Sequence, residues 1–180
     1  NGGNIDIATG LSESTSSGAF TFTTPDAGSN GVSGGFKFST GTSSAGTTGD
    51  FSMTTGDAVE GKSGSIYMKM GTGNVGDGGR FELDVGDTTG ADGDGGSITV
   101  VAGHSNHASG NNGGSISITA GHTKGSETKD DGGSITVNAG LAATGNGGNI
   151  DIATGLSEST SSGAFTFTTP DAGPNGVSGG

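Results

Sequence analysis

One eight-residue pattern recurs along the whole chain and constrains its folding more than any other feature. The pattern is a glycine, then large apolar residues at its third and fifth positions, usually a smaller residue at its seventh, and a closing glycine or proline; 96–103 is an example. Successive copies, called octets below, start 15 to 19 residues apart. Their opening glycines are Gly3, Gly18, Gly34, Gly49, Gly64, Gly79, Gly96, Gly114, Gly133, Gly148 and Gly163, and Gly179 opens a further copy.

The large residues of the octets form two columns, which hold all eight phenylalanines of the chain. The first column is Ile5, Phe20, Phe36, Phe51, Ile66, Phe81, Ile98, Ile116, Ile135, Ile150 and Phe165. The second is Ile7, Phe22, Phe38, Met53, Met68, Leu83, Val100, Ile118, Val137, Ile152 and Phe167. A spacing of two residues is typical of a β-strand with one buried face, and these residue types are favoured in strands.

The segments between octets, called linkers below, are seven to eleven residues long and rich in Gly, Ser, Thr, Asn and Asp. Such a composition is typical of turns and loops. Neither the octets nor the linkers have a helical period, so we expect no α-helix.

A repeat of this length is one structural unit that cannot bury its own apolar face, so the copies must cover one another. An antiparallel meander and a parallel β-solenoid both could do this. In a meander, alternate linkers would lie at opposite ends of the sheet, whereas in a solenoid all linkers would be equivalent. All linkers have a similar composition, which favours the solenoid. The fold prediction is therefore all-β: a parallel β-solenoid of about eleven rungs with a 15–19-residue repeat. Equivalent residues would stack ~4.8 Å apart, with Phe20, Phe36 and Phe51 inside the rod.

A second, longer period underlies the first. Residues 1–35 recur at 146–180 with a single mismatch, Ser29 against Pro174, which gives a superperiod of 145 residues. Near-identity over this length indicates a recent tandem duplication. We therefore expect 1–180 to be one continuous solenoid segment of a longer tandem array, able to associate end to end through its uncapped rungs.

Composition excludes several classes of function. The formal net charge of −12 argues against binding DNA or RNA. Cysteine is absent, which excludes disulfides and zinc–thiolate sites. No apolar run approaches the length needed to span a membrane. With only 27 % hydrophobic residues, the expected core is thin, so contacts between rungs would have to supply much of the stability.

Few residues suggest chemistry. In a solenoid His104 and His122 would lie on adjacent rungs with His107 nearby, and paired imidazoles can bind zinc or copper. No carboxylate or cysteine stands at ligand spacing, so plain loop residues are the better interpretation. The acidic turn at 87–95 lacks the closing Glu and the helices of an EF-hand, which leaves only loose Ca²⁺ binding. We assign no catalytic, cofactor-binding or metal-binding residue and expect the protein not to be an enzyme.

Two further features concern the surface of the expected solenoid. The linkers lengthen over three consecutive copies, at 87–95, 104–113 and 122–132. Stacked, they would form a ridge for lateral association or glycan contact. Oppositely charged residues, Arg80 with Glu82 and Lys69 with Asp84, would pin the register on the solvated face.

The octets at 114–121 (Gly-Ser-Ile-Ser-Ile-Thr-Ala-Gly) and 133–140 (Gly-Ser-Ile-Thr-Val-Asn-Ala-Gly) resemble repeats of filamentous-haemagglutinin-type adhesins and glycine-rich surface repeats of microbes and algae. The resemblance implies a secreted, elongated β-solenoid that works as a fibre, stalk or adhesin. The first hypothesis is a structural subunit of an extracellular filament. The alternative is an adhesin or binding module that displays loops 87–132 to a glycan, a surface or Ca²⁺.

Overall fold

In the computed structural model the octets and linkers are distinct, but neither forms regular secondary structure. The structure describes residues 2–107, 111–125, 130–173, 177 and 179, and these contain no helix and no β-strand. Every bend or turn in this part of the chain lies within a linker, and the octets are free of them. These positions are 13–15, 29–30, 44–46, 59–61, 74–76, 90–92, 143–145 and 158–160.

The predicted parallel β-solenoid is wrong. Phe20, Phe36 and Phe51 were expected inside a rod, yet they are 58 %, 59 % and 61 % exposed. No described residue is buried, whether apolar or polar. The backbone hydrogen bonds outside the turns join residues 8 to 12 apart rather than equivalent residues one repeat apart, so the rungs do not form a ladder.

The reason lies in how one octet follows the next. The closing glycine of an octet is hydrogen-bonded to the opening glycine of the following one, as in Gly140 and Gly148. Six linkers are closed into loops in this way, and the octets on either side of them run end to start instead of stacking. An octet carries only two large side chains, and nothing in the described chain is placed over them. Without a covering layer, the ordering entropy of a rung is not offset by burial.

The chain divides into two units, Asn1–Leu83 and Asp84–Gly180. The hydrogen bond between the closing glycine of one octet and the opening glycine of the next is called a joint below. Both units contain joints, for example Gly10 with Gly18 in the first unit and Gly140 with Gly148 in the second. The described residues contain no helix that is long and apolar enough to cross a membrane.

A repeated linker shows how strongly local sequence sets the loops. The linkers 11–17 and 156–162 both contain Ser-Glu-Ser-Thr. The hydroxyl of Ser12 accepts a hydrogen bond from the Thr15 amide at 3.0 Å, and that of Ser157 accepts one from the Thr160 amide at 2.9 Å. Serine side chains favour such local turns. The same residues thus give the same turn in each unit.

Candidate association surface

The joints between octets are short backbone contacts. In each, the amide of an opening glycine donates to the carbonyl of the preceding octet's closing glycine, over 2.8–3.1 Å. The pairs are Gly18 with Gly10, Gly96 with Gly86, Gly114 with Gly103, Gly133 with Gly121, Gly148 with Gly140 and Gly163 with Gly155. In the first pair a second bond forms, from the Thr9 hydroxyl to the Gly18 carbonyl at 2.9 Å.

The opening glycine leaves little room for a side chain at the joint. A Cβ at Gly148 would lie 3.1 Å from the amide nitrogen of Gly140, and one at Gly114 would lie 3.2 Å from that of Gly103. A Cβ at the closing Gly140 or Gly103 would meet nothing within 4 Å. The two glycines of a joint therefore have different roles: close approach of two backbones requires the opening one.

The small seventh-position residues also belong to the joint. Ala102 and Ala120 are among the few described residues that are partly covered. An added Cβ on the next opening glycine, Gly114 or Gly133, would lie 3.4 or 3.5 Å from the alanine Cβ. A small residue at this position lets the following octet begin close by.

The two large columns stay exposed, from Ile5 at one end to Phe167 at the other. The second-column residue of one octet lies near the first-column residue of the next where both are aromatic: across linker 26–33 the ring centroids of Phe22 and Phe36 are 5.8 Å apart. The two columns expected from the sequence therefore combine locally into one row.

This row is best defined where it is aromatic. The aromatic strip consists of Phe20, Phe22, Phe36, Phe38 and Phe51. Ring centroids within an octet are 4.9 and 4.5 Å apart and nearly perpendicular, at 86° and 87°. Centroids on either side of linkers 26–33 and 42–48 are 5.8 and 5.9 Å apart and inclined at 40° in both cases. Perpendicular ring pairs within an octet thus alternate with inclined ring pairs between octets along the surface of the first unit.

The residues that suggested metal chemistry form no site in the structure. His104 and His122 are exposed, and the rung stacking that was to bring them together is not present. Across the described ranges, no group of three His, Asp or Glu residues is placed to hold a metal ion. The acidic turn at 87–95 is likewise exposed. In the same part of the chain no cavity opens.

The predicted surface features have mixed outcomes. Arg80 and Glu82 lie together, 3.6 Å apart between a guanidinium nitrogen and a carboxylate oxygen, although both side chains are well exposed. An exposed pair of this kind contributes little to stability. Lys69 and Asp84 belong to different units. Of the three long linkers, 87–95 is fully described, whereas 108–110 and 126–129 lie outside the described residues.

Reasoning from the sequence missed the joint and the strip. The signal for the joint is a glycine at both ends of nearly every octet, which a turn alone does not require. The signal for the strip is the run of phenylalanines from Phe20 to Phe51, which groups large aromatic residues in adjacent octets. Comparison of the chain with protein-family models, with curated proteins and with solved structures found no match.

Proposed function

We propose that the chain is a structural subunit of an extracellular filament, and that copies assemble by burying their apolar columns against one another. The observation that carries the proposal is the exposure of every large apolar residue in the described chain. Monomeric soluble proteins rarely expose contiguous apolar patches beyond a few hundred Å². A repeated, uncovered apolar row needs a partner, and the partner that repeats with the same period is another copy of the chain.

This proposal does not rest on the stacking within one chain that first suggested a filament. Support comes from the recurrence of the apolar columns in every octet and from the near-identical segments 1–35 and 146–180. The resemblance of the octets to surface-protein repeats supports a secreted location.

The test is whether the purified 180-residue chain forms elongated assemblies. We expect uniform filaments in electron micrographs, with sedimentation showing growth as protein concentration rises and reversal on dilution. Reversal and a constant width distinguish assembly from amorphous aggregation. Monomers that stay monodisperse at every concentration would contradict the proposal.

The alternative, a binding module, has one observation in its favour. The three long linkers are all closed at the base by a glycine–glycine hydrogen bond of 2.8 or 2.9 Å, so each is a loop anchored at both ends. Anchored loops are suited to displaying contacts. Saturable binding to a glycan array that is lost when residues 87–132 are replaced by short linkers would favour this function over the filament.

A further inference from the structure

The aromatic strip differs from the rest of the apolar row in the way its members contact one another. Its ring centroids are all 4.5–5.9 Å from the next, within the range over which aromatic pairs attract beyond simple burial. The strip is therefore one ordered surface rather than five independent side chains, and it loses less entropy when a partner binds.

The strip is large enough for a specific contact. Its five phenylalanines are each 58–63 % exposed, which corresponds to on the order of 600 Å² of apolar surface. A stable interface buries roughly 800 Å² on each partner. Two copies that meet through these rings would bury roughly 1,200 Å² in total, the lower end of the range for specific interfaces.

Charge favours a second copy of this acidic chain at the strip. The charged residues between Phe20 and Phe51 are Asp26, Lys37 and Asp50, a net charge of −1, against −12 for the chain. The net charge per residue of this segment is below the average of the chain, so repulsion between two copies is weaker here than average. The strip thus combines the chain's largest group of contacting phenylalanines with less than the average self-repulsion.

The first pair of the strip occurs again in the second unit. Phe165 and Phe167 stand 145 residues after Phe20 and Phe22, with ring centroids 5.2 Å apart at 77°. A chain with aromatic contacts at two places can join more than one other chain, so association need not stop at a dimer.

We propose that the aromatic strip is the contact through which a second copy of this chain binds and assembly begins. The inference rests on the proposed function and names the surface that carries it. Aromatic residues dominate the energies of protein interfaces, whereas the columns of the octets that open at Gly96, Gly114, Gly133 and Gly148 hold only Ile and Val.

The experiment compares three full-length chains. The strip variant carries Phe22→Ser, Phe36→Ser and Phe38→Ser; the matched control carries Ile98→Ser, Val100→Ser and Ile116→Ser, which removes the same number of exposed column residues. We expect the strip variant to raise the critical concentration for assembly at least about tenfold, and the control to change it by less than about threefold. Sedimentation velocity and light scattering give both values. Because none of the six residues is buried, loss of folding does not confound the comparison.

The other outcomes separate the two proposals. The role of the strip is overturned, while the filament proposal stands, in any of three cases. Both variants assemble like the parent chain, only the control is impaired, or both are impaired equally. If the parent chain stops at a strip-dependent dimer, the filament is overturned and the strip stands. A parent chain that stays monomeric overturns both. A strip variant that assembles normally but loses retention on a polysaccharide column assigns the strip to a glycan and overturns its role between copies.

Discussion

At the scale of single residues, the opening glycines determine how the octets connect. Gly148 lies so close to Gly140 that a Cβ would fall 3.1 Å from the Gly140 amide nitrogen, whereas Gly140 has open space around its own Cβ position. The hydrogen bond between them is 2.9 Å long. The two glycines share one bond but differ in steric freedom, which offers a matched pair of substitutions.

We expect Gly148→Ala to weaken this joint and Gly140→Ala to leave it intact. A hydrogen bond of this kind contributes about 0.5–1.5 kcal/mol, so its loss should lower the hydrogen-exchange protection of the amide at position 148 roughly two- to tenfold. The rates are measured by NMR and corrected for the intrinsic effect of each alanine. Equal protection in both variants would show that the close approach does not govern the joint.

At the scale of elements, the sequence predicts where the chain is straight and where it turns, but not what covers the octets. Alternation such as Ile98 and Val100 identifies residues that share one side of an extended segment. It does not say whether the cover comes from the same chain or from another one, because both satisfy the same period. The solenoid prediction assumed the first, and the exposure of Phe36 and its neighbours contradicts it.

The joint could be found only in part from the sequence. A glycine at each octet end indicates a turn, and the bends do fall in the linkers, as at 143–145. The pairing of Gly148 with Gly140 depends on a backbone approach that residue types alone do not specify. For the candidate surface, the sequence identifies the columns, while the contact of Phe22 with Phe36 depends on the path of the chain through linker 26–33, which residue types alone do not specify.

The joints also predict that linker length matters little. Loops closed by the Gly10–Gly18 and Gly121–Gly133 bonds differ by four residues, yet the bonds are 3.1 and 2.8 Å long. Loop-closure entropy grows only slowly with length. Lengthening linker 141–147 by four Gly/Ser residues should therefore reduce protection of the Gly148 amide by no more than about twofold.

Hydrogen exchange on the lengthened chain checks this expectation, with the Gly163 amide of the next joint as an internal reference. Both amides are donors in joints 2.9 Å long, and only one of the two linkers is altered. A tenfold loss confined to position 148 would mean that the linker's own residues, rather than its glycine ends, hold the joint together.

At the scale of the whole molecule, an exposed apolar row and a net charge of −12 act in opposite directions. The row favours association through burial of apolar surface. The charge keeps the chains apart, and its 18 acidic residues are spread over both units. Assembly should therefore depend on how far the charge is screened.

Raising NaCl from about 10 to about 150 mM shortens the Debye length from about 30 to about 8 Å. Repulsion between approaching acidic chains then falls, whereas burial of the uncharged phenylalanine rings is little affected. We expect the initial rate of assembly, followed by light scattering, to rise on the order of tenfold. An uncharged osmolyte at equal osmolality is the control and should produce no such rise. Slower assembly at the higher salt would mean that attraction between opposite charges, not burial of the apolar row, brings the copies together.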